Sequence, residues 1–340
     1  MNQCLSRLIR WPGAVASCAL LLVLLAPTMA PAQSLGRGQL TAEETRFVNE
    51  LLLTYDSPDL LRTWVASRIK TVDSSGRASL EFSLADAMRL DGDVDGYESE
   101  IQKLAKKYPN HPRAKGAQLE SVLASLLRLD DANTEAVFST NPAQRQKAIE
   151  NRDRIWALDV ETVLVENIRR LNEEVDAAEK SVMTNTDDGK KDTLAEKLGA
   201  STRMRDLWEF NRLNAFKVYA GMLPDGTEDS TKKYLELASF AEEFVSSRYE
   251  NFGRRYEAQL IFGQALSSAG KAQEAASELE LLVDIEPSAD PPFSDDVIYF
   301  IRKMRIEALT GSLQAYNRAG MPEDGLDLLD FLYDVEATRF

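Results

Sequence analysis

The sequence predicts an all-α protein assembled from antiparallel helical hairpins stacked into an irregular α-solenoid. Three observations carry the prediction. Apolar residues recur at helical spacing through most of the chain, no stretch sustains strand-like alternation, and Pro or Gly cuts the periodic stretches at hairpin intervals.

The first 32 residues read as an export leader. Arg7 and Arg10 make a positive start, an apolar run covers Ala14 to Ala26, and Ala30-Pro31-Ala32 presents small residues for cleavage before Gln33. That run of thirteen residues spans about 20 Å at about 1.5 Å per residue, short of a roughly 30 Å hydrocarbon layer. An uncleaved anchor is the alternative reading. Both cysteines, Cys4 and Cys18, fall within the leader, which leaves the expected 308-residue product without a thiol. Arg7 and Arg10 are the leader's only charges, so the net charge moves from −15 to −17 on cleavage. Such an acidic chain is a poor match for phosphate-rich nucleic acid.

After a polar lead at residues 33 to 43, helical periodicity begins near Glu44. Phe47, Leu51 and Leu52 share one face; Leu60, Leu61, Trp64, Val65 and Ile69 form a second stripe beyond the Ser57-Pro58 break. Helices are next expected over Ser79 to Leu90 and Val94 to Tyr108, hinged at Asp91-Gly92-Asp93 and stopped by Pro109. Another is expected from Pro112 to Leu129. These elements define an N-terminal helical-repeat region over residues 33–133.

A central long-helix region, 134–228, follows. Asn141-Pro142 opens a helix or broken helix through Trp156, Val160, Leu164, Ile168, Leu171 and Val175. The polar stretch Thr184 to Gly189 separates it from a second stripe over Thr193 to Met222, which a short connector would make an antiparallel neighbour. A coiled-coil prong and a globular helical pair both fit, the large aromatics favouring the pair. Pro224-Asp225-Gly226 ends this region. Residues 229–340 resume from about Ser230, and their aromatics Tyr249, Phe252 and Tyr256 read as core material or binding anchors.

Repetition emerges around the glycine turns. Leu84-Ala85, Met88, Gly92, Tyr97, Ile101, Leu104 and Pro109 match Phe262-Gly263, Leu266, Gly270, Ala275, Leu279, Leu282 and Pro287 at equal offsets. Leu313, Tyr316, Gly320, Gly325, Leu329 and Leu332 look like a degraded third copy. This pattern resembles a divergent tetratricopeptide repeat, a family of stacked two-helix units of about 34 residues. Glu81 and Gln259 stand where that family often has Trp, and Tyr97 where it usually has Ala. The resemblance implies protein or peptide binding on an inner helical surface, with Glu81, Asp86, Arg89, Gln259 and Gln264 as candidate contacts. It implies no catalytic residues and no cofactor. The apolar repeat residues Leu84, Met88, Ile101, Leu104, Phe262, Leu266, Leu279 and Leu282 are expected to hold the hairpins together.

Asp91-Gly92-Asp93-Val94-Asp95-Gly96 places acids at positions one, three and five and Gly at six, as in a calcium loop. Position twelve is Gln102 where a bidentate Glu is needed, and position eight is Glu98 where an apolar residue is usual. A solvated interhelical turn explains the same letters. His111, the one histidine, has no sequence-defined nucleophile beside it. The acidic groups around Asp187-Asp188, Asp290 with Asp295-Asp296, and Glu323-Asp324 read as surface charge. The resulting expectation is a non-enzymatic, exported scaffold or adaptor with a protein or peptide partner, in an extracytoplasmic, periplasmic or secreted assembly. Membrane association would come only through a partner or an uncleaved leader. The alternative is a small-ligand or glycan-binding helical protein, with Trp64, Trp156, Trp208 and Tyr256 in interhelical grooves.

Overall fold

The structure, a computed structural model, describes residues 40–55, 57–185, 188–247, 252–285 and 295–337. The expected leader, Thr186, Asp187, Tyr249, Pro287 and Asp290 lie outside the described residues. The architecture is all-α, in two compact units, one ending at Leu164 and the other beginning at Val165. The division falls inside the region expected to be a separate central section.

In the first unit, α1 (Ala42–Leu53) starts at a capping box. The Glu44 backbone N–H donates to Thr41 Oγ1 at 3.1 Å and the Thr41 N–H to Glu44 Oε2 at 2.8 Å, satisfying two helix-end donors at once. Pro58 opens α2 (Pro58–Arg68), where its missing N–H costs nothing. Helix α3 (Ser74–Leu90) begins five residues before the expected Ser79, because Asp73 caps it by accepting from the Gly76 N–H at 2.8 Å. Helix α4 (Val94–Lys107) follows as expected. The helix expected over Pro112 to Leu129 is instead a single turn, α5 (Pro112–Lys115), then α6 (Ala117–Phe138), divided at Gly116.

Helix α7 (Pro142–Arg154) runs into a π-helical segment, Ile155–Glu161, and on into α8 (Thr162–Thr184). The wider turn carries Ile155, Trp156 and Val160 to the buried side, and Thr162 Oγ1 donates to the Ala157 carbonyl at 2.7 Å. Each of α1 to α4 packs on the next, α4 packs on α6, and α6 on α7. One core joins Leu51, Leu61, Val65 and Leu80; another joins Phe82, Tyr97, Ile101 and Leu104.

The second unit contains most of α8, then α9 (Asp188–Ala220), α10 (Glu228–Ser247), α11 (Phe252–Ser268), α12 (Ala272–Val283), α13 (Asp295–Ala319) and α14 (Pro322–Ala337). From α9 onward each helix packs on its successor, and α11 also packs on α9 and α13. The connector expected to fold α8 against α9 includes residues outside the described set. Leu260, Leu279, Leu282, Val283, Met304 and Leu328 form the core of α11 to α14.

The repeat is visible in backbone geometry. Gly92, Gly270 and Gly320 hold φ of 84°, 83° and 74° after α3, α11 and α13. In each case the following N–H reaches back five residues, Asp93 to Met88, Lys271 to Leu266 and Met321 to Tyr316. This is a Schellman ending, which needs a left-handed residue and therefore favours Gly. Among the matched apolar residues, Ile101, Leu104, Leu266, Leu279 and Leu282 are buried, while Leu84 and Met88 pack against the first unit's cores. Phe262 is half-buried. Tyr97, the bulky departure from the pattern, is fully buried.

Candidate functional site

The first-helix face expected to meet a partner rests on α3 and α11. Glu81 is half-buried and accepts two bonds from Lys107 Nζ, at 2.6 and 2.9 Å. Asp86 is buried and bound to Arg113, and Gln259 is buried with its amide donating to Glu278 Oε2 at 2.6 Å. These bonds remove Asp86 and Gln259 from a free contact surface. Both lie on the side of their helix that faces a neighbouring helix, where internal partners satisfy them. Arg89 and Gln264 are half-buried, and Arg89 sits over the Tyr97 ring at 5.9 Å.

Asp86 belongs to a polar knot that joins α3, α4, α5 and α6. Arg113 Nη1 and Nη2 donate to the two Asp86 carboxylate oxygens at 2.8 and 2.9 Å, and its Nε donates to Glu120 Oε1 at 3.0 Å. Tyr97 donates its hydroxyl to Glu120 Oε2. The guanidinium lies 5.1 Å from the Phe82 ring centre. Burial by itself would lower the Arg113 pKa; the charges of Asp86 and Glu120 outweigh it and hold the pKa above the ordinary value. Burial, then the charges of Glu120 and Asp86, raises the Tyr97 phenol, so it stays a donor.

His111 completes the knot from the α5 N-terminus. Its ring stacks on Phe82 at 4.7 Å, and Nδ1 accepts from the Arg113 N–H at 3.3 Å. With Nδ1 an acceptor, the neutral ring carries its proton on Nε2, 3.2 Å from Ser79 Oγ. Burial, followed by the charge of Arg113, lowers the His111 pKa. The arrangement caps a helix and fixes the ring against Phe82, with the Ser79 hydroxyl on its other nitrogen.

The calcium-like hexapeptide has a local explanation for each letter. Gly92 makes the Schellman turn, Asp93 caps α4 by accepting from the Gly96 N–H at 2.9 Å, and Asp91 pairs with Arg62. A β-carbon on Gly96 would lie 2.2 Å from Asp93 Oδ2, so the cap itself calls for Gly there. Asp95 and Glu98 both pair with Arg128. Among the described residues, no group of three or more His, Cys, Asp or Glu side chains converges as a metal site.

Trp156 and Trp208 are buried, and Tyr256 packs against the core of the second unit. The Phe252 side chain lies outside the described residues. Trp64 borders an open cleft of about 280 Å³ with Glu43, Glu44 and Phe47. Its ring meets Phe47 edge-on at 5.5 Å, while Glu44 is engaged by Thr41 and Arg68. Sequence reading missed Arg113 and Glu120 in the first unit and Lys217 and Glu257 in the second; it read Arg254, with Arg255, as a contact for an acidic partner or as solvated helix surface. Among the described residues no helix is long and apolar enough to cross a membrane. No protein family, curated protein or solved structure matches the chain.

Proposed function

We propose that this protein is an exported, non-enzymatic scaffold of the tetratricopeptide-like kind, which holds a protein or peptide partner in an extracytoplasmic assembly. The observation that carries this reading is the recurrence of one Schellman hairpin at Gly92, Gly270 and Gly320, each followed by an amphipathic second helix. Stacked hairpins leave elongated side-chain surfaces exposed between turns, which suits them to extended partners. The apolar run after Arg7 and Arg10 supports export, and the excess of acid favours a basic partner segment.

Crosslinking mass spectrometry on native cell envelopes tests the reading. Reproducible crosslinks from lysines of this chain to one protein, lost when that protein is deleted, are the expected result. A chain recovered from the cytoplasm with its leader intact, or an envelope chain with no partner crosslinks, would count against it.

A further inference from the structure

Aromatic rings and carboxylates meet on the outside of the first unit, where α1 packs on α2. Glu43 and Phe47 lie one turn apart on α1, and Leu60 and Trp64 one turn apart on α2. The Phe47 and Trp64 rings, 5.5 Å between centres and 63° between planes, wall the open cleft of about 280 Å³ that Glu43 and Glu44 complete. Phe47 and Leu60 are exposed. Leu60 therefore extends the apolar surface by a further turn of α2, and an apolar patch rimmed by charge is the usual form of an interaction site.

The charges around the cleft do not cancel. Arg68 pairs with Glu44 at 2.5 Å and Arg46 with Glu50 at 2.9 Å, so each of these acids has its own base. Glu43 is exposed and has no ion pair or side-chain hydrogen bond among the described residues. One negative charge is left beside two rings. That combination attracts a single organic cation, through the carboxylate and through the negative faces of the aromatic rings, and it repels an anion.

The interior of the same unit shows which cation these ingredients hold. Arg113 lies 5.1 Å from the Phe82 ring centre while its nitrogens donate to Asp86 and Glu120. A guanidinium suits such a setting better than an ammonium, because its plane packs on a ring while its edge donates to a carboxylate. We propose that the cleft receives an arginine side chain of an extended partner segment, packed against Phe47 and Trp64 and donating to Glu43, with an apolar neighbour of that arginine on Leu60. This contact rests on the reading of the chain as a partner-binding scaffold, and it lies outside the matched repeats.

NMR titration of the isotopically labelled chain beginning at Gln33 tests this, with the indole N–H signals of Trp64, Trp156 and Trp208 as reporters and Trp64→Phe to assign the first. The probes are acetylated, amidated Leu-Arg-Leu, the same tripeptide with citrulline for arginine, free L-arginine and tetramethylammonium. The arginine tripeptide should shift the Trp64 signal saturably and leave those of the buried Trp156 and Trp208 in place. Citrulline keeps the shape and loses the charge, so it should weaken binding about tenfold, a readout independent of how any variant folds. Glu43→Gln should weaken it about threefold. No shift at Trp64, equal binding of the citrulline tripeptide, indifference to Glu43→Gln, or tighter binding of free arginine or tetramethylammonium would overturn the proposal. So would a Trp64 signal that moves only on Arg37→Ala, which would give the cleft to the chain's own polar lead. In each of these cases, envelope crosslinks that persist leave the scaffold reading standing without this contact, whereas peptide binding without crosslinks counts against the scaffold reading alone.

Discussion

The Leu279 side chain occupies the space that a β-carbon on Gly263 would need: such an atom would lie 2.4 Å from Leu279 Cγ. A β-carbon on Gly311 would come within 2.9 Å of Leu279 Cδ1. One leucine of α12 thus wedges between glycines of α11 and α13 and sets how closely the three helices approach. Alanine at Gly263 would gain about 1 kcal/mol of helix propensity. The overlap outweighs it, because Leu279 is fully buried and has nowhere to turn, and overpacking costs about 1–3 kcal/mol. Gly263→Ala should therefore lower stability by about 1–2 kcal/mol in urea denaturation, and adding Leu279→Ala should cost less than it does alone. A raised urea midpoint for Gly263→Ala would sink this account.

Arg113→Met should be among the most damaging single substitutions in the first unit. It leaves Asp86 and Glu120 facing each other, with side chains 10% and 1% exposed. Removing one partner from such a buried set costs about 3–5 kcal/mol. Breaking Arg62 from Asp91, 38% and 40% exposed, should cost no more than about 1 kcal/mol. Thermal melts of Arg113→Met and Arg62→Met measured side by side would check the contrast; equal losses would contradict it.

Stability should depend on pH through Glu257. An ordinary Glu titrates near 4.5, whereas burial raises Glu257 to about 7 beside Arg254, Lys217 and Glu307. Between those values the folded chain keeps a proton that the unfolded chain has released, so this group's contribution declines as pH rises through the window and stays low above it. The full effect is about 3 kcal/mol. His111 has the opposite sign: its folded pKa is lowered, so its contribution is present above 6.5 and is lost as pH falls through the folded value. Subtracting the stability curve of Glu257→Gln from that of the unaltered protein cancels His111. The difference should slope downward from pH 4.5 to 7, and a flat difference curve would refute the assignment.

If the leader is cleaved where the small residues place it, the exported chain begins at Gln33. N-terminal peptide mass spectrometry on protein from the extracytoplasmic fraction would read that residue directly. A species retaining Arg7 and Arg10 there would favour the anchor reading.

The elements that sequence reading located well are those whose causes lie within a few residues. Asp91-Gly92-Asp93 carries its own turn and cap, and the equal offsets around Gly92 and Gly270 anticipated the shared Schellman ending. Boundaries slipped where a local cap outweighed poor propensity, as at Asp73, or where a glycine divided an apolar stripe, as at Gly116. The contact surface was the least legible part. Asp86 and Gln259 read as outward polar residues, yet their partners Arg113 and Glu278 stand 27 and 19 positions away and draw them inward.

The sequence by itself determined that this chain forms helices, where most of them turn, and that one hairpin recurs, because periodicity, capping and left-handed glycines act over a single helical turn. Only the tertiary structure decided which charges are buried together. Arg113 with Asp86 and Glu120, and Lys217 with Arg254 and Glu257, draw their members from separate helices. Desolvation and Coulomb attraction depend on distances in space, which helical spacing along the chain does not encode.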